Sequence, residues 1–369
     1  MKTHSAPYAD DLPALRGIQG IAVLAVIVAS FLNTPLGAQV FAHHLALGGF
    51  GIEVLFIVAG FVLTHRYGDA LQKGGFELKG FWLRRLARVW PLHMAVLLVY
   101  GLLVGVIPAW SGAAANTAEG FLNQAFLMAS WTGAEHSFTP VGWVVSGYAV
   151  CLALFPFLLM RQPKRRLAVF TGVAVLVMGL VGAMIAPTGF QNLHLVGYGL
   201  LRLVPCFMLG ILLYRVWRDV PLGALGRFSM AWGATGLAVA VALGAPGWLM
   251  LVAASGWVVW AADLSRDRHA NWLQRPGLQT LGHSAYGIFL CAPLIADLSY
   301  TALVGSAQHV TLPVGLIYGH AAFVMVAAIV VGIGLRQGVQ IPAAQAIDQL
   351  WQRYRMARPK SDLVPQTEI

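Results

Sequence analysis

Residues 81–106 read FWLRRLARVWPLHMAVLLVYGLLVGV: three arginines, Arg84, Arg85 and Arg88, then a run to Val106 without a single Asp, Glu, Lys or Arg. A membrane-spanning helix needs about 20 mostly apolar residues, so this stretch reads as a basic loop feeding a crossing. The same alternation covers the chain. Of its 24 Lys and Arg, 23 fall into six groups: Lys2 and Arg16; Arg66 to Arg88; Arg161 to Arg166; Arg215 to Arg227; Arg266 to Arg275; and Arg336 to Lys360. Every second gap between apolar runs carries none of them. Cytoplasmic loops retain Lys and Arg while translocated loops shed them, so all six groups are expected on the cytoplasmic side. Arg202 alone breaks the rule.

Composition agrees with a lipid solvent. Hydrophobic residues make up 58% of the 369 and charged ones 10%, with a mean hydropathy of +0.72, which a soluble domain of ordinary surface does not accommodate. The net charge of +10 is shared among loops at helix ends instead of forming one patch, which argues against a nucleic-acid partner. Cys151, Cys206 and Cys291 lie singly inside apolar segments, as small hydrophobes with no metal spacing and no disulfide framework. No metal site is expected. The N-terminus lacks a short apolar core with a cleavage site, so the first apolar segment is expected to remain in the mature protein.

These patterns predict an all-α, polytopic membrane bundle of about ten transmembrane helices with both termini cytoplasmic. The crossings are expected near 17–37, 47–64, 90–109, 141–160, 167–186, 197–214, 229–243, 247–264, 284–304 and 312–335. Residues 113–131 carry Phe121, Ala125 and Met128 beside Glu119, Asn123 and Gln124, and read as an interfacial or partly re-entrant helix outside. Gly244-Ala245-Pro246-Gly247 divides 229–264 into a hairpin. One domain is expected over 1–351 and a disordered cytoplasmic tail over 352–369.

Several ionisable residues fall within apolar segments, where each costs about 2.5 kcal/mol or more at the bilayer centre and usually faces a cavity or a partner. Glu53, Arg202 and His320 are therefore expected to share an outward-opening polar cavity, with Asp297 late in its helix. His43 and His44 lie in the first outer loop without an evident third metal ligand. His93 is expected to cap the cytoplasmic interface near Trp90.

The first helix, Leu15-Arg16-Gly17-Ile18-Gln19-Gly20-Ile21-Ala22 continuing to Ser30, resembles the opening of the acyltransferase-3 family of integral-membrane O-acyltransferases, a Leu-Asp-Gly-Leu-Arg-Gly-x-Ala pattern running to a His. Four more elements follow in the family's order. Gly48 to Phe61 resembles its second helix, and Phe81 to Pro91, with Arg84, Arg85 and Arg88, its Arg-x-x-Arg-x-x-Pro element. Trp143-Val144-Val145-Ser146-Gly147-Tyr148 is similar to its Trp-Ser-Leu-x-x-Glu helix, and Leu281-Gly282-His283 to Pro293 to its close. Arg202 to Gly210 is similar to its Arg-containing segment ending Phe-x-x-Gly.

The departures fall on polar positions. By resemblance the family's Asp is Arg16, its Arg is Gln19, its first-helix His is Ser30, its Glu is Tyr148 and its late His is Ala292. The resemblance implies transfer of an acetyl-type group from a cytoplasmic acyl-CoA to a hydroxyl of an extracytoplasmic glycan or lipid, across a plasma (inner) membrane. Acyl-CoA would be a co-substrate, with no permanently bound cofactor. It implies a donor site at Arg84, Arg85 and Arg88, whose forked guanidinium groups suit phosphate, although the same arginines could serve topology and anionic lipid alone. Trp143, Ser146 and Tyr148 are the implied substrate-binding residues. Acyl transfer to an alcohol needs a base, so the candidates for catalysis are Ser30, Glu53, Arg202 and His320. Ser30 would need a base of its own to act as a nucleophile, and otherwise bonds the carbonyl one turn back. Two further readings stay open: a catalytically inactive relative that binds a glycan or lipid or partners an active enzyme, and a transporter, which lacks an inverted repeat and a deep acidic coupling residue.

Overall fold

The computed structural model describes residues 12–37, 45–72, 76–107, 116–132, 138–159, 164–185, 199–242, 248–266, 271–305 and 312–357. Among these residues the backbone forms thirteen α-helices: α1 (Pro13–Leu32), α2 (Leu45–Gln72), α3 (Leu78–Val106), α4 (Ala118–Ala125), α5 (Ala129–Thr132), α6 (Gly142–Leu159), α7 (Lys164–Ile185), α8 (Gly199–Asp219), α9 (Ala224–Ala242), α10 (Leu249–Leu264), α11 (Pro276–Val304), α12 (Val314–Leu335) and α13 (Ile341–Ala357). Helices are what the chemistry demands, because hydrocarbon satisfies no backbone group and a helix satisfies its own. Local signals set several starts. Pro13 and Pro276 occupy first-turn positions of α1 and α11, where no N–H is needed, and the Thr117 hydroxyl caps α4 by accepting from the Gly120 N–H at 3.0 Å.

Eight of the described helices are long and apolar enough to cross a membrane. They include seven of the expected crossings as separate helices and an eighth as α12 running on into α13. The 22-residue α7 and the shorter, apolar α10 stand at the other two expected places. His43, His44 and the Gly244–Gly247 interruption lie outside the described residues. The last helix continues from α12 through a π-helical turn, Arg336–Gln340, to Ala357, so helix replaces part of the expected tail from 352 onward.

The basic helix ends gather at one end of the bundle. Arg218 pairs with Asp69 at 2.7 Å, linking α8 to α2. Arg227 and Arg266 both reach Asp263, at 2.5 and 3.6 Å, and the Arg266 guanidinium lies 3.9 Å from the centre of the Trp217 ring. The Ala14 N–H donates to Ser265 Oγ at 3.1 Å, Gln279 Nε2 to the Pro13 carbonyl at 2.7 Å, and Gln340 Nε2 to the Arg88 carbonyl at 3.1 Å. Five of the six charge groups read from sequence as sharing one side thus meet through their neighbours in space. At about 1.5 Å per residue, 29-residue helices such as α3 and α11 run about 44 Å, well past the roughly 30 Å of hydrocarbon.

α1 is central, packed against α2, α10, α11 and α12. α2 in turn lies along α8, where Gly60 and Gly210 allow close contact: a Cβ at Gly210 would collide with the Ile57 carbonyl, and one at Gly60 with the Phe207 carbonyl. Such small-residue contacts let backbones approach where no hydrophobic force drives helices together. The same pair is tied by Arg202, whose Nε and Nη2 each lie 2.6 Å from Glu53 Oε1. Both side chains are almost fully buried, at 1% exposure.

Of the stretch 113–131, expected as an interfacial or partly re-entrant helix, the described part folds as α4 and α5, packed against α3 and α6. Trp90 Nε1 donates to the Ala125 carbonyl at 2.9 Å, and His93 Nε2 meets the Gln124 carbonyl at 2.9 Å, near the midpoint of α3. At the turn Leu127 adopts φ +59°, a left-handed conformation unfavourable for a side chain with a Cβ. Ser146 Oγ holds it by donating to the Leu127 carbonyl at 2.6 Å. His93 is therefore a fully buried clamp on the re-entrant segment and not a cap at the interface.

Gly210→Leu is expected to force α2 and α8 apart and abolish recovery of monodisperse protein in detergent, whereas Gly236→Leu, at a glycine facing open space on α9, leaves it unchanged in size-exclusion profile. Glu53→Gln alone strands the Arg202 charge and should cost about 3–5 kcal/mol. The double change Glu53→Leu with Arg202→Met should melt at a higher temperature than either single change, as followed by intrinsic fluorescence.

Candidate functional site

A cavity of about 530 Å³ opens among the basic helix ends. α2 contributes one face at helical spacing: Ile52, Leu55, Phe56, Ala59, Val62 and then His65 and Arg66. Arg85, Arg88 and Val89 come from α3, Val144, Val145 and Tyr148 from α6, Arg16 and Gln19 from α1, and His283, Tyr286 and Phe289 from α11. Gln340, in the π-helical turn, completes the wall. π turns inside helices occur often at functional sites.

Its polarity changes with depth. Four guanidinium groups, Arg16, Arg66, Arg85 and Arg88, and two imidazoles, His65 and His283, lie toward the mouth, and no carboxylate is among the lining residues. Arg85 is held in place by donating from Nη2 to the Tyr67 hydroxyl at 3.2 Å and by lying over the Tyr67 and Phe81 rings. Further in, the walls are Leu55, Phe56, Ala59, Val144, Val145 and Phe289. Gln19 and Tyr148 supply polar atoms there, and Tyr286 donates its hydroxyl proton to the Val89 carbonyl at 2.8 Å. Such a space takes a ligand with a multiply anionic head and a largely neutral, slender tail.

The sequence-derived candidates separate into three places. Arg85, Arg88 and Tyr148 line the cavity, and Arg84 does not. Trp143 packs under the ion pair, with the Arg202 guanidinium 5.7 Å from the centre of its ring, and Ser146 is engaged by the re-entrant segment, donating to Leu127 and accepting from the Ser130 N–H at 3.2 Å. Ser130 in turn donates to the Trp143 carbonyl. Glu53 and Arg202 face each other between α2 and α8 and line no part of this cavity. His320 is not with them. It sits on α12 against α1 and α11, with its ring edge toward Phe31 at 5.6 Å between centroids and Nε2 2.7 Å from Ser299 Oγ. The expectation of Glu53, Arg202 and His320 in one outward-opening cavity is thus corrected: the first two neutralise each other in the packed interior, and the third is two helices away. Ser30 donates to the Val26 carbonyl at 2.9 Å, the one-turn-back bond open to any helical serine.

His65, Arg66, Tyr286 and Gln340 were not singled out by sequence as site residues, and Arg16 and His283 were named only as members of motifs. The signal available was the apolar face of α2 repeating at 52, 55, 56, 59 and 62 and ending on His65 and Arg66, since a face that ends in charge faces something wet. Among the described residues no three His, Cys, Asp or Glu come together as a metal site.

Comparison with known proteins gives this geometry a context. The acyltransferase-3 family, described as an acyltransferase domain, matches residues 12–335. Acyltransferase MdmB of Streptomyces mycarofaciens is 26% identical over 168 residues, 42% of each chain. A Staphylococcus aureus protein carried under an O-acetyltransferase name is 32% identical over 99 residues, 24% of this chain and 14% of its own. Protein 2 in the picA locus of Rhizobium radiobacter is 34% identical over 84 residues, 22% of this chain and 40% of its own. The chain thus matches less than half the length of these relatives, and no solved structure matches it. With the match running from the first turn of α1 to the end of α12, across every helix that lines the cavity but for the π turn, this multi-pass membrane protein belongs to the acyltransferase-3 family.

Proposed function

We propose that the protein is an acyl-CoA-dependent O-acyltransferase of the plasma (inner) membrane, taking an acetyl-type group from a cytoplasmic donor and passing it to a hydroxyl of an extracytoplasmic glycan or lipid. The cavity carries this reading. Its basic mouth, with Arg85 and Arg88 beside Arg16 and Arg66, suits the phosphates of coenzyme A, which bind forked guanidinium donors in charge-assisted pairs. Its apolar inner walls suit the pantetheine arm and a short acyl chain, and the Gln19 amide and Tyr148 hydroxyl are placed to bond amide or thioester oxygens. The positive-inside rule supports a cytoplasmic mouth, because five of the six basic clusters are linked to one another at that end. The acyltransferase and O-acetyltransferase names of its relatives support the reaction class.

A second reading draws on Ser30, whose hydroxyl is bonded to its own helix, and on the neutral Gln19 and Tyr148: the chain binds the donor or a lipid without turnover. The two separate experimentally. Purified in detergent, the protein is expected to bind coenzyme A by calorimetry and to release thiol from acetyl-CoA. Replacing Arg85 and Arg88 together by Ala should weaken binding by about tenfold or more, since hydrogen bonds between charged groups contribute about 1.5–3 kcal/mol. Binding without thiol release selects the non-catalytic reading, and absence of binding overturns both donor assignments.

A further inference from the structure

The guanidinium groups that line the cavity come from different walls. Arg85 and Arg88 stand one turn apart on α3, and the charges that act on Arg88 include those of Arg85, of Arg66 from α2 and of Asp348 from α13. Arg66, Arg85 and Arg88 therefore form one group, with Arg85 held by the Tyr67 hydroxyl. Arg16 is placed differently. It lies near the start of α1, and α1 and α3 both line the cavity without packing on each other. Arg16 packs on α11 instead: a Cβ at Gly282 would collide with the Arg16 carbonyl and with its side-chain stem. The stem thus lies on the residue before His283, and Arg16 and His283 line the cavity together. Gln279 sets the state of His283. Its carbonyl, 2.7 Å from His283 Nδ1, can only accept, so Nδ1 carries the ring proton of the neutral imidazole and Nε2 keeps a lone pair.

Resting on the donor reading above, we infer that Arg16 and His283 form a second anion subsite, which takes a phosphate monoester of the ligand while Arg66, Arg85 and Arg88 take its internal diphosphate. The two groups differ in what they suit. A cluster of guanidinium forks offers donors alone, and an internal diphosphate offers acceptors alone. One guanidinium beside a neutral imidazole offers a fork and a lone pair. A phosphate monoester matches that combination, because its second pKa of about 6 leaves it a proton close to neutrality. It donates that proton to His283 Nε2 while its remaining oxygens pair with Arg16. A diphosphate in the same place would set its oxygens against the Nε2 lone pair. In coenzyme A the monoester is the phosphate on the adenosine ribose, which stands apart from the diphosphate in the molecule as Arg16 stands apart from the α3 arginines in the cavity. That phosphate is a specificity element of the site, and Arg16 is the residue that reads it.

The test is calorimetric, on the full chain in nanodiscs of zwitterionic phosphatidylcholine, with CoA and dephospho-CoA as the two probes. Dephospho-CoA keeps the diphosphate, the arm and the thiol and lacks only the monoester. The wild type should bind CoA about tenfold or more tightly than dephospho-CoA. Arg16→Ala should bring CoA down to the level of dephospho-CoA and leave dephospho-CoA nearly unchanged, and that retained binding shows the variant to be folded. His283→Ala should narrow the preference, whereas Arg85→Ala should weaken both probes by the same factor and keep it. Phosphatidic acid, the lipid source of a phosphate monoester, is then added to the nanodiscs and should leave the wild-type preference intact. Equal binding of the two probes by the wild type overturns the subsite while leaving the donor reading standing. So does an Arg16→Ala variant that keeps the wild-type preference or loses both probes alike, and a preference abolished by phosphatidic acid assigns the subsite to lipid and overturns it as well. A wild type that binds neither probe overturns the donor reading itself.

Discussion

Hydrocarbon offers no hydrogen bond and screens no charge, and this constraint decides where every polar atom of the chain can lie. Backbone groups are satisfied within helices. Side-chain hydroxyls inside the bundle turn back on their own helix, as Ser30, Thr64, Thr171, Ser255 and Ser299 do, or hold a neighbouring segment, as Ser146 does. Charges either pair, as Glu53 and Arg202 do, or collect at a helix end. The re-entrant segment obeys the same rule. Non-helical backbone at membrane depth survives only when protein satisfies it, and the Trp90 and His93 ring nitrogens and the Ser146 hydroxyl meet the carbonyls that the break between α4 and α5 would otherwise expose.

The cavity is a consequence of that sorting. Once the cations gather at one end, a gap between helices there is lined by guanidinium groups, as Arg16, Arg66, Arg85 and Arg88 line this one. What makes it a shaped site is depth. α2 presents small and medium apolar residues on the face that continues inward from Arg66, and α6 and α11 bring Tyr148, Tyr286 and Phe289 to the same space. Polar head and apolar tail are thereby sorted along one axis by the same rule that sorts the protein's own residues.

Much of the fold was legible because lipid imposes a strong code on sequence. Apolar runs bounded by cations mark crossings, and the even number of them puts the first and last described helices at the same end. The buried ion pair was half legible: Glu53 and Arg202 stood out as ionisable residues inside apolar runs, but their being neighbours depends on α2 lying along α8 through Gly60 and Gly210, a long-range pairing that one sequence does not encode in any local pattern. His320 stood out by the same rule and was placed with the wrong partners for the same reason. Ser146 looked like a substrate contact because its motif implied one, and the depth of the re-entrant segment, which takes up its hydroxyl, leaves no local signal. The cavity was least legible, since its lining is assembled from α1, α2, α3, α6, α11 and the π turn, elements far apart in the chain.

By resemblance, Gln19 and Tyr148 stand where the family pattern has an Arg and a Glu, and electrostatics makes the two changes compatible. The family pattern places Arg at the first position and Glu at the second, and both side chains line the same cavity here. Neutralising only the Arg would leave a carboxylate at the inner end of the cavity, and neutralising only the Glu would add a fifth cation to a space already lined by Arg16, Arg66, Arg85 and Arg88. Breaking one partner of a buried pair costs about 3–5 kcal/mol, whereas replacing both is often close to neutral. With Gln19 and Tyr148 at these positions the inner cavity presents an amide and a phenol instead of a charged pair. Hydrogen bonding between neutral groups is weaker than bonding to a charge, so an amide and a phenol at the inner end leave the arginines as the charged part of the cavity lining.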